Sequence, residues 1–299
     1  MGKELADKYS VARATFAEAD AALGYSLSQL CFDGPEDKLK LTEITQPAIL
    51  TVSVAAQRVL AEKGIQPQYV AGHSLGEYSA HVAAGTLEFS DAVRTVAKRG
   101  KYMQEAVPVG VGAMAAILAL ALEPLEAACR QAAQETGGTA SPANINSPDQ
   151  IVISGSKAAV ERAAELAKEK GAKRAVMLPV SAPFHCSLMQ PAQDRLAADL
   201  RALRFSEPRV PVVTNVDAKP IQDAEQAREA LIRQVTGAVQ WVRSIQVLIA
   251  AGVQTFVEVG PGKVLTGLLR QIERSKTGLN VENDESLQKT LSALSAQSA

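Results

Sequence analysis

The chain has 299 residues, of which 47% are apolar and 21% charged, and this is enough to bury the core of one large α/β domain or of two coupled units. Its formal net charge of −1 gives no basis for binding nucleic acid or an anionic membrane. The three cysteines lie far apart without a CxxC pair, which argues against a disulfide framework or a structural zinc site and favours a reducing compartment. Since the first ten residues lack an export signal and no apolar run approaches about 18 residues, we expect a cytoplasmic, soluble protein without a membrane anchor.

The first part of the chain alternates helix-like and strand-like segments. Residues 47–64 have helical apolar spacing and end at a glycine, and residues 68–72 form a short apolar run typical of a strand. Residues 90–106 predict an amphipathic helix capped by Ser90.

The middle of the chain, residues 111–181, follows a different pattern. Apolar runs predict strands within 112–120, 139–146, 150–156 and 173–180, and Gly-ended amphipathic segments predict helices within 123–138 and 157–171. In chain order the elements are strand, helix, strand, strand, helix and strand. This βαββαβ order is that of a ferredoxin-like (split βαβ) subdomain, whose ends lie close together as an insertion requires.

The last part returns to an α/β pattern, so residues 1–110 and 182–299 together predict one catalytic core. Buried strands are expected at 209–216 and 255–260, and helices at 225–235 and 240–252. The tail from Ser275 is polar, and we expect it to be loosely held.

The stretch VAGHSLGEYSAHVAAG combines a short strand, the motif Gly72-x-Ser74-x-Gly76 and a helix. In this context the motif is a sharp strand-to-helix turn that exposes a serine hydroxyl, and we expect side chains at positions 72 and 76 to collide with neighbouring backbone. The hydroxyl then lies at a helix N-terminus, where the Leu75 N–H is the natural first oxyanion donor. The alternative is a chance GxSxG in a loop.

A serine nucleophile needs a base, and the chain has three histidines to test. His73 adjoins Ser74 and its side chain diverges, while His81 lies about 10 Å further along the predicted helix. His185 remains, in a loop bracketed by prolines just after the insertion, although a merely packed loop histidine stays possible.

No conventional acid partner for this histidine is evident. Asp194 and Asp217 are candidates only by their order in the chain. A backbone or amide carbonyl could orient the ring instead, and Gln234 is a polar residue in an otherwise apolar helix.

Arg99 lies on the apolar stripe of its predicted helix, three residues after Val96. A guanidinium facing the core needs an anion, since burial of an unpaired charge is costly. The partner is either a ligand carboxylate, which a guanidinium binds with two prongs, or an internal Asp or Glu, and the sequence pattern leaves both open.

Six blocks of the sequence resemble the malonyl-CoA:acyl carrier protein transacylase family, the acyltransferases that load malonyl groups in fatty acid biosynthesis. The blocks are AGHSLGEYSA, RGKYMQEAVPVGVGAMAAIL, NINSPDQIVISG, PVSAPFHCSLM, VPVVTNVDAKP and FVEVGPGKVLTGLL. The resemblance runs in register from about residue 3 to 274 and implies an α/β-hydrolase-like core with a ferredoxin-like insertion.

The resemblance also implies roles for particular residues. Ser74 would carry the malonyl ester, His185 would act as base and then acid, and Arg99 would bind the malonyl carboxylate. The carbonyl of Gln234 would steady the histidine, and the Leu75 N–H would donate to the oxyanion.

Further substrate-binding positions follow from the same resemblance. Asn144 and Asn146 match polar positions near the cleft, and His73 beside the nucleophile is grouped with them. The bulk of Phe184 would disfavour a methyl branch on the acyl group, an effect of about 1–3 kcal/mol.

The expected partners are malonyl-CoA and acyl carrier protein, with neither nucleic acid nor membrane, and the expected state is a monomer. No metal or redox cofactor is expected. Two other interpretations remain: a serine hydrolase, which passes the acyl group to water and has no need of a buried Arg99, and a weak or inactive binding partner of the carrier protein.

One feature departs from the family pattern. The family begins with a strand ending in Phe-Pro-Gly-Gln-Gly-Ser-Gln, which contributes to the oxyanion hole, whereas this sequence starts with Met-Gly-Lys-Glu-Leu. Loss of an oxyanion donor costs about 10²–10³ in rate, and loss of a core strand exposes apolar surface. Either the start of the sequence is misplaced or trimmed, or the enzyme is impaired as it stands, and we expect an upstream extension of about 15 residues to raise the transacylase rate and the solubility.

Overall fold

The computed structural model describes residues 1–298, in which helices alternate with short strands. The helices are α1 (Lys3–Lys8), α2 (Ser10–Leu23), α3 (Leu27–Asp33), α4 (Glu36–Leu39), α5 (Thr42–Glu62), α6 (Leu75–Ala83), α7 (Phe89–Glu105), α8 (Leu122–Thr136), α9 (Lys157–Glu169), α10 (Gln190–Ala202), α11 (Ala224–Gln234), α12 (Trp241–Ala250), α13 (Val264–Ile272) and α14 (Asp284–Ser298). The strands are β1 (Val70–Ala71), β2 (Gly112–Leu118), β3 (Ala140–Ser147), β4 (Gln150–Ser156), β5 (Arg174–Met177), β6 (Val212–Val213), β7 (Pro220–Ile221), β8 (Thr255–Val259) and β9 (Thr277–Val281).

The ferredoxin-like unit is a four-stranded sheet in the order β3-β4-β2-β5, antiparallel throughout. Ile117 and Ile153 of the sheet share one buried cluster with Leu125 of α8 and Val160 of α9, so both helices cover the same face. Strands β2 and β5 are neighbours, which brings the two ends of the unit together. The ferredoxin-like fold is therefore confirmed, while the domain boundaries at residues 111 and 181 stay predictions.

The core that carries the serine is organised around helix α5. Its apolar residues lie on all sides and most are buried, as in a helix surrounded by others. One buried cluster joins α5 to α2, α7 and α10. The strands form two small sheets, β1-β6-β7 and β8-β9, with β1 parallel to β6 and β8 parallel to β9.

Several predicted boundaries differ from the structure. Helix α5 begins at Thr42 rather than at residue 47, and α7 begins at Phe89 with Glu88, not Ser90, at its cap. The predicted strands 68–72 and 209–216 shrink to β1 and β6, because only two residues of each pair with the other. The apolar runs in the sequence do not show where β1 and β6 begin and end, since strand pairing depends on a partner that is distant in the chain.

The prediction of a loosely held tail is wrong. Strand β9 pairs with β8 over five residues, and Val281 and Leu287 are fully buried. Asp284 accepts hydrogen bonds from Tyr9 (2.5 Å) and Lys8 (2.6 Å), which ties α14 to the start of the chain. The tail is polar on average, but its few apolar residues reach the core through long-range contacts. Residue 299 of the predicted tail lies outside the described residues.

The glycine-rich segment at 260–267 leads into α13, where the carboxylate of Glu258 accepts from the N–H groups of Leu265 (3.0 Å) and Thr266 (2.7 Å). This helix N-terminus is thus capped by the protein itself. Within residues 1–298, no helix is long and apolar enough to cross a bilayer.

Candidate active site

Ser74 lies at the turn between β1 and α6 with φ 52° and ψ −106°, a conformation that L-residues rarely adopt. A Cβ atom on Gly72 would lie 1.9 Å from the carbonyl oxygen of Gly76, so only glycine fits there. The expectation for Gly76 is wrong, because a Cβ atom at that position would meet no atom within 4 Å. The turn thus depends on one of the two glycines.

The side chain of Asn215 holds this turn from both sides. Its Oδ1 accepts from the Ser74 N–H (2.7 Å), and its Nδ2 donates to the Gly72 carbonyl (2.7 Å). A buried amide that satisfies both backbone groups stabilises the strained turn.

The hydroxyl of Ser74 lies 2.7 Å from Nε2 of His185. On the other side of the ring, Nδ1 faces the carbonyl oxygens of Gln234 (2.9 Å) and Gly237 (3.1 Å). Because both of those groups only accept, Nδ1 carries the proton and Nε2 is free to accept from the hydroxyl. Burial, reinforced by the positive charge of Arg99, lowers the pKa of His185 to about 3, so the ring is neutral at neutral pH.

Neither aspartate considered from the sequence contacts the histidine. Asp194 accepts from Gln190 (2.7 Å), and Asp217 pairs with Arg233 (2.5 Å). The ring is oriented by backbone carbonyls instead, including that of the predicted residue Gln234.

Arg99 is 2% exposed, and its guanidinium donates to three neutral oxygens. Nη1 donates to Oε1 of Gln46 (2.7 Å), and Nη2 donates to Oγ of Ser74 (3.1 Å) and to Oε1 of Gln234 (3.0 Å). Across residues 1–298, no carboxylate lies within ion-pair distance of Arg99, so the internal salt bridge left open by the sequence is not observed. A buried cation held only by neutral groups can accept an anionic ligand.

A cavity of about 240 Å³ opens in front of Ser74. The predicted residues that line it are His73, Ser74, Leu75, Arg99, Asn144, Phe184 and His185. Asn146 lies behind them, with its Oδ1 2.8 Å from Nε2 of His73. The Leu75 N–H is the first of helix α6, where backbone N–H groups lack intrahelical partners.

Four residues that contact the predicted site residues were not themselves predicted from the sequence: Gln46, Glu77, Asn215 and Gly237. Thr42, Met103 and Met114 also line the cavity and were not predicted as site residues. Glu77 stands three residues after Ser74 in the serine motif, so helical spacing could have placed it beside Ser74. Gln46 and Asn215 lie 53 and 141 residues from the groups they bind, and no local pattern points to them.

Comparison with known proteins shows which family the chain belongs to. The family model for the acyl transferase domain matches residues 1–289. The malonyl CoA-acyl carrier protein transacylase of Escherichia coli K12 is 53% identical over 270 residues, which is 90% of this chain and 87% of that protein. The chain belongs to the malonyl CoA-acyl carrier protein transacylase family.

Solved structures of this transacylase family have the same fold. An acyl carrier protein S-malonyltransferase from Vibrio cholerae superposes with a TM-score of 0.95 at 49% identity, covering 97% of this chain and 94% of the other. A malonyl-transacylase in complex with its type II PKS acyl-carrier protein gives 0.95 at 48% identity, covering 98% and 94%. The prediction of an α/β-hydrolase-like core with a ferredoxin-like insertion, and the resemblance to the transacylase family, are confirmed.

Proposed function

We propose that the chain transfers a malonyl group from malonyl-CoA to the phosphopantetheine thiol of acyl carrier protein, through an ester on Ser74. One observation carries the proposal: the Ser74 oxygen lies 2.7 Å from a neutral imidazole and 3.1 Å from a buried guanidinium without a carboxylate partner. A base and a carboxylate-binding group thus meet at the same nucleophile.

In the first half of the reaction, Nε2 of His185 accepts the hydroxyl proton as Oγ of Ser74 attacks the thioester carbonyl. The oxyanion that forms points at the Leu75 N–H, where the N-terminus of α6 favours negative charge. The carbonyls of Gln234 and Gly237 stabilise the imidazolium through Nδ1. The C–S bond then breaks, and His185 returns the proton to the departing CoA thiolate.

In the second half, the carrier's thiol takes the place of CoA. His185 accepts the thiol proton, the sulfur attacks the malonyl ester, and the C–O bond to Ser74 breaks as the proton returns to Oγ. These steps use a nucleophile, a base and hydrogen-bond donors from one chain, so we propose a monomeric enzyme that needs no metal or redox cofactor.

The acyl chain would lie between Arg99 and the apolar wall of the cavity. Arg99 binds the malonyl carboxylate while Gln46 and Gln234 hold the guanidinium in place. Met103, Met114 and Phe184 line the same cavity and limit the room for a branched acyl group. His73 and Asn144 complete the polar side, and Asn146 fixes His73.

The names of the relatives support this substrate and this partner, since those proteins are called malonyl CoA-acyl carrier protein transacylases. The solved complex of a malonyl-transacylase with an acyl-carrier protein supports the carrier as acceptor. The three buried, free cysteines support a cytoplasmic site of action.

The decisive experiment follows labelled malonyl-CoA with and without holo acyl carrier protein. We expect a malonyl ester on Ser74, found by mass spectrometry of the peptide, that persists until the carrier's thiol is added. Ser74→Ala abolishes the ester, whereas Ser79→Ala, further along the same helix, retains it. Rapid release of free malonate without carrier would favour a hydrolase, and carrier binding without any ester would favour an inactive binding partner.

A further inference from the structure

Glu77 is a fully buried carboxylate to which the reaction above gives no role. It lies on α6 one turn after Ser74, and its Oε2 accepts from the Asn215 N–H (3.1 Å) and from Nε2 of Gln234 (2.7 Å). Its Oε1 has no hydrogen-bond partner among the described residues. A buried charge that is only half satisfied is costly, so its presence next to the nucleophile needs a reason.

One side chain connects this carboxylate to Arg99. The Gln234 amide accepts from Nη2 of Arg99 through Oε1 (3.0 Å) and donates from Nε2 to Glu77 (2.7 Å). The second Nε2 hydrogen is taken by the Ser74 carbonyl (2.9 Å), so the amide can point in only one direction. The dipole of the amide is therefore aligned between a buried cation and a buried anion.

While Glu77 is ionised, the charges of the site balance only when no ligand is bound. Arg99 and Glu77 together are neutral, and a bound malonyl carboxylate adds a further negative charge to a buried region. An extra negative charge close to a buried carboxylate favours the protonated form of that carboxylate.

Resting on the proposed function, we propose that Glu77 is a positioning residue that acts through Gln234 as the counter-charge of Arg99. We further propose that binding of a carboxylate at Arg99 brings one proton from solvent onto Oε1 of Glu77. One O–H bond forms on the glutamate, a water or buffer acid loses the proton, and no bond of the substrate changes. A neutral hydroxyl without a partner is less costly to bury than a charged oxygen.

The surroundings of Glu77 place this proton within reach at neutral pH. Burial raises the pKa of Glu77 to about 7, opposed by the hydrogen bonds from Gln234 and Asn215 and by the charge of Arg99, and assisted by Asp217. The charge of Glu77 also acts on Arg233 and on Tyr78. Burial raises the pKa of Tyr78 above its ordinary range. Burial lowers the pKa of His185 to about 3 and also lowers the pKa of His73, so both rings are neutral at neutral pH and above.

The sign of the pH dependence follows. Above about pH 7 the free enzyme holds an ionised Glu77, which must take up a proton when malonyl binds, so binding weakens as the pH rises. Below that value Glu77 is already protonated, and binding no longer depends on its proton.

The test measures the malonyl-CoA concentration that half-saturates ester formation on Ser74 at several pH values between about 6 and 9. For the wild type, this concentration rises up to about tenfold per pH unit above neutrality, as one coupled proton requires. Glu77→Gln keeps an oxygen for Asn215 and Gln234 but is always neutral, and its profile is flat. Asp217→Asn, which removes a nearby exposed charge, keeps the wild-type slope.

A flat wild-type profile, or a slope that Glu77→Gln shares, overturns the inference. Wild-type protein that forms no malonyl ester overturns the proposed function and the inference with it. Should Glu77→Gln fail to fold, calorimetry of malonyl-CoA binding to Ser74→Ala in two buffers of different ionisation enthalpy decides the matter. Uptake of about one proton near pH 8 supports the inference, and no uptake overturns it.

Discussion

Ser74 and His185 each adopt a backbone conformation that is unusual for an L-residue, with φ of 52° and 59°. Such conformations cost about 1–3 kcal/mol each and persist only where the surroundings determine them. Asn215 supports Ser74, and the carbonyls of Gln234 and Gly237 hold the ring of His185. The hydroxyl and the imidazole are therefore brought together by neutral amides rather than by a carboxylate.

Arg99 can be tested by replacing it with an apolar side chain, which removes the guanidinium that would bind the malonyl carboxylate. We expect Arg99→Leu to slow malonyl loading of Ser74 by about tenfold to a hundredfold, since hydrogen bonds to charged groups contribute about 1.5–3 kcal/mol. Arg94→Leu, on the exposed side of the same helix and paired with Asp91, should load at the wild-type rate. Quench-flow with labelled malonyl-CoA measures both, and equal rates for the two variants would contradict the proposed role.

The burial of His81 leads to a prediction about the stability of the fold at low pH. It is fully buried, neither ring nitrogen has a hydrogen-bond partner among the described residues, and burial lowers its pKa to about 3. Between its unfolded pKa of about 6.5 and pH 3, only the unfolded chain binds the proton, so acidification destabilises the fold. We expect His81→Leu to lose less thermal stability than wild type between about pH 7 and 5. Equal losses in the two proteins would show that His81 does not contribute.

At the level of elements, the serine turn joins one of the shortest strands of the molecule to a nine-residue helix. Strand β1 contributes only Val70 and Ala71, paired with β6, yet it fixes the direction from which the chain enters α6. The close approach of Gly72 to the Gly76 carbonyl makes this entry possible.

The two glycines of the motif give a matched pair of variants. Gly72→Ala drives a methyl group into the Gly76 carbonyl, and we expect it to destabilise the fold by at least about 1–3 kcal/mol and to abolish malonyl loading. Gly76→Ala meets open space within a helix, so its stability should be unchanged or higher by up to about 1 kcal/mol. Thermal unfolding and ester formation compare them, and similar damage from both would contradict the structure of the turn.

What could be predicted from the sequence depended on how local the signal is. The insertion was predictable because each of its strands and helices is long enough to show its own apolar period. Ser74 was predictable from a motif and Arg99 from its place on an apolar stripe. Gln46 and Asn215 were not, because a polar residue in a helix or after a strand gives no sign of its distant partner.

On the scale of the whole molecule, the insertion and the core share the cavity. The backbone of Ile145 and Ala143 in β3 pairs with Val239, two residues after the carbonyl of Gly237 that faces His185. Phe184 packs against the Met114 cluster of the insertion, and Asn146 contacts His73. The insertion thus supports the loops on which His185 and Ser74 lie.

The C-terminal segment is equally part of the fold, and this can be measured. Leu287 is fully buried, so Leu287→Ala should lower the free energy of unfolding by about 2–5 kcal/mol. Val264→Ala, at a side chain that is 70% exposed, should change it by less than about 0.5 kcal/mol. Denaturant titration distinguishes them, and a neutral Leu287→Ala would support a loose tail after all.

The hydrogen bond from Arg99 to the Ser74 oxygen has a consequence for the resting enzyme. While the guanidinium donates to that oxygen, it stabilises the oxygen lone pair and makes the hydroxyl a weaker nucleophile. Under the proposed function, a malonyl carboxylate that binds Arg99 would take over this donor, so we expect an acyl thioester without a carboxylate to load Ser74 more slowly than malonyl-CoA.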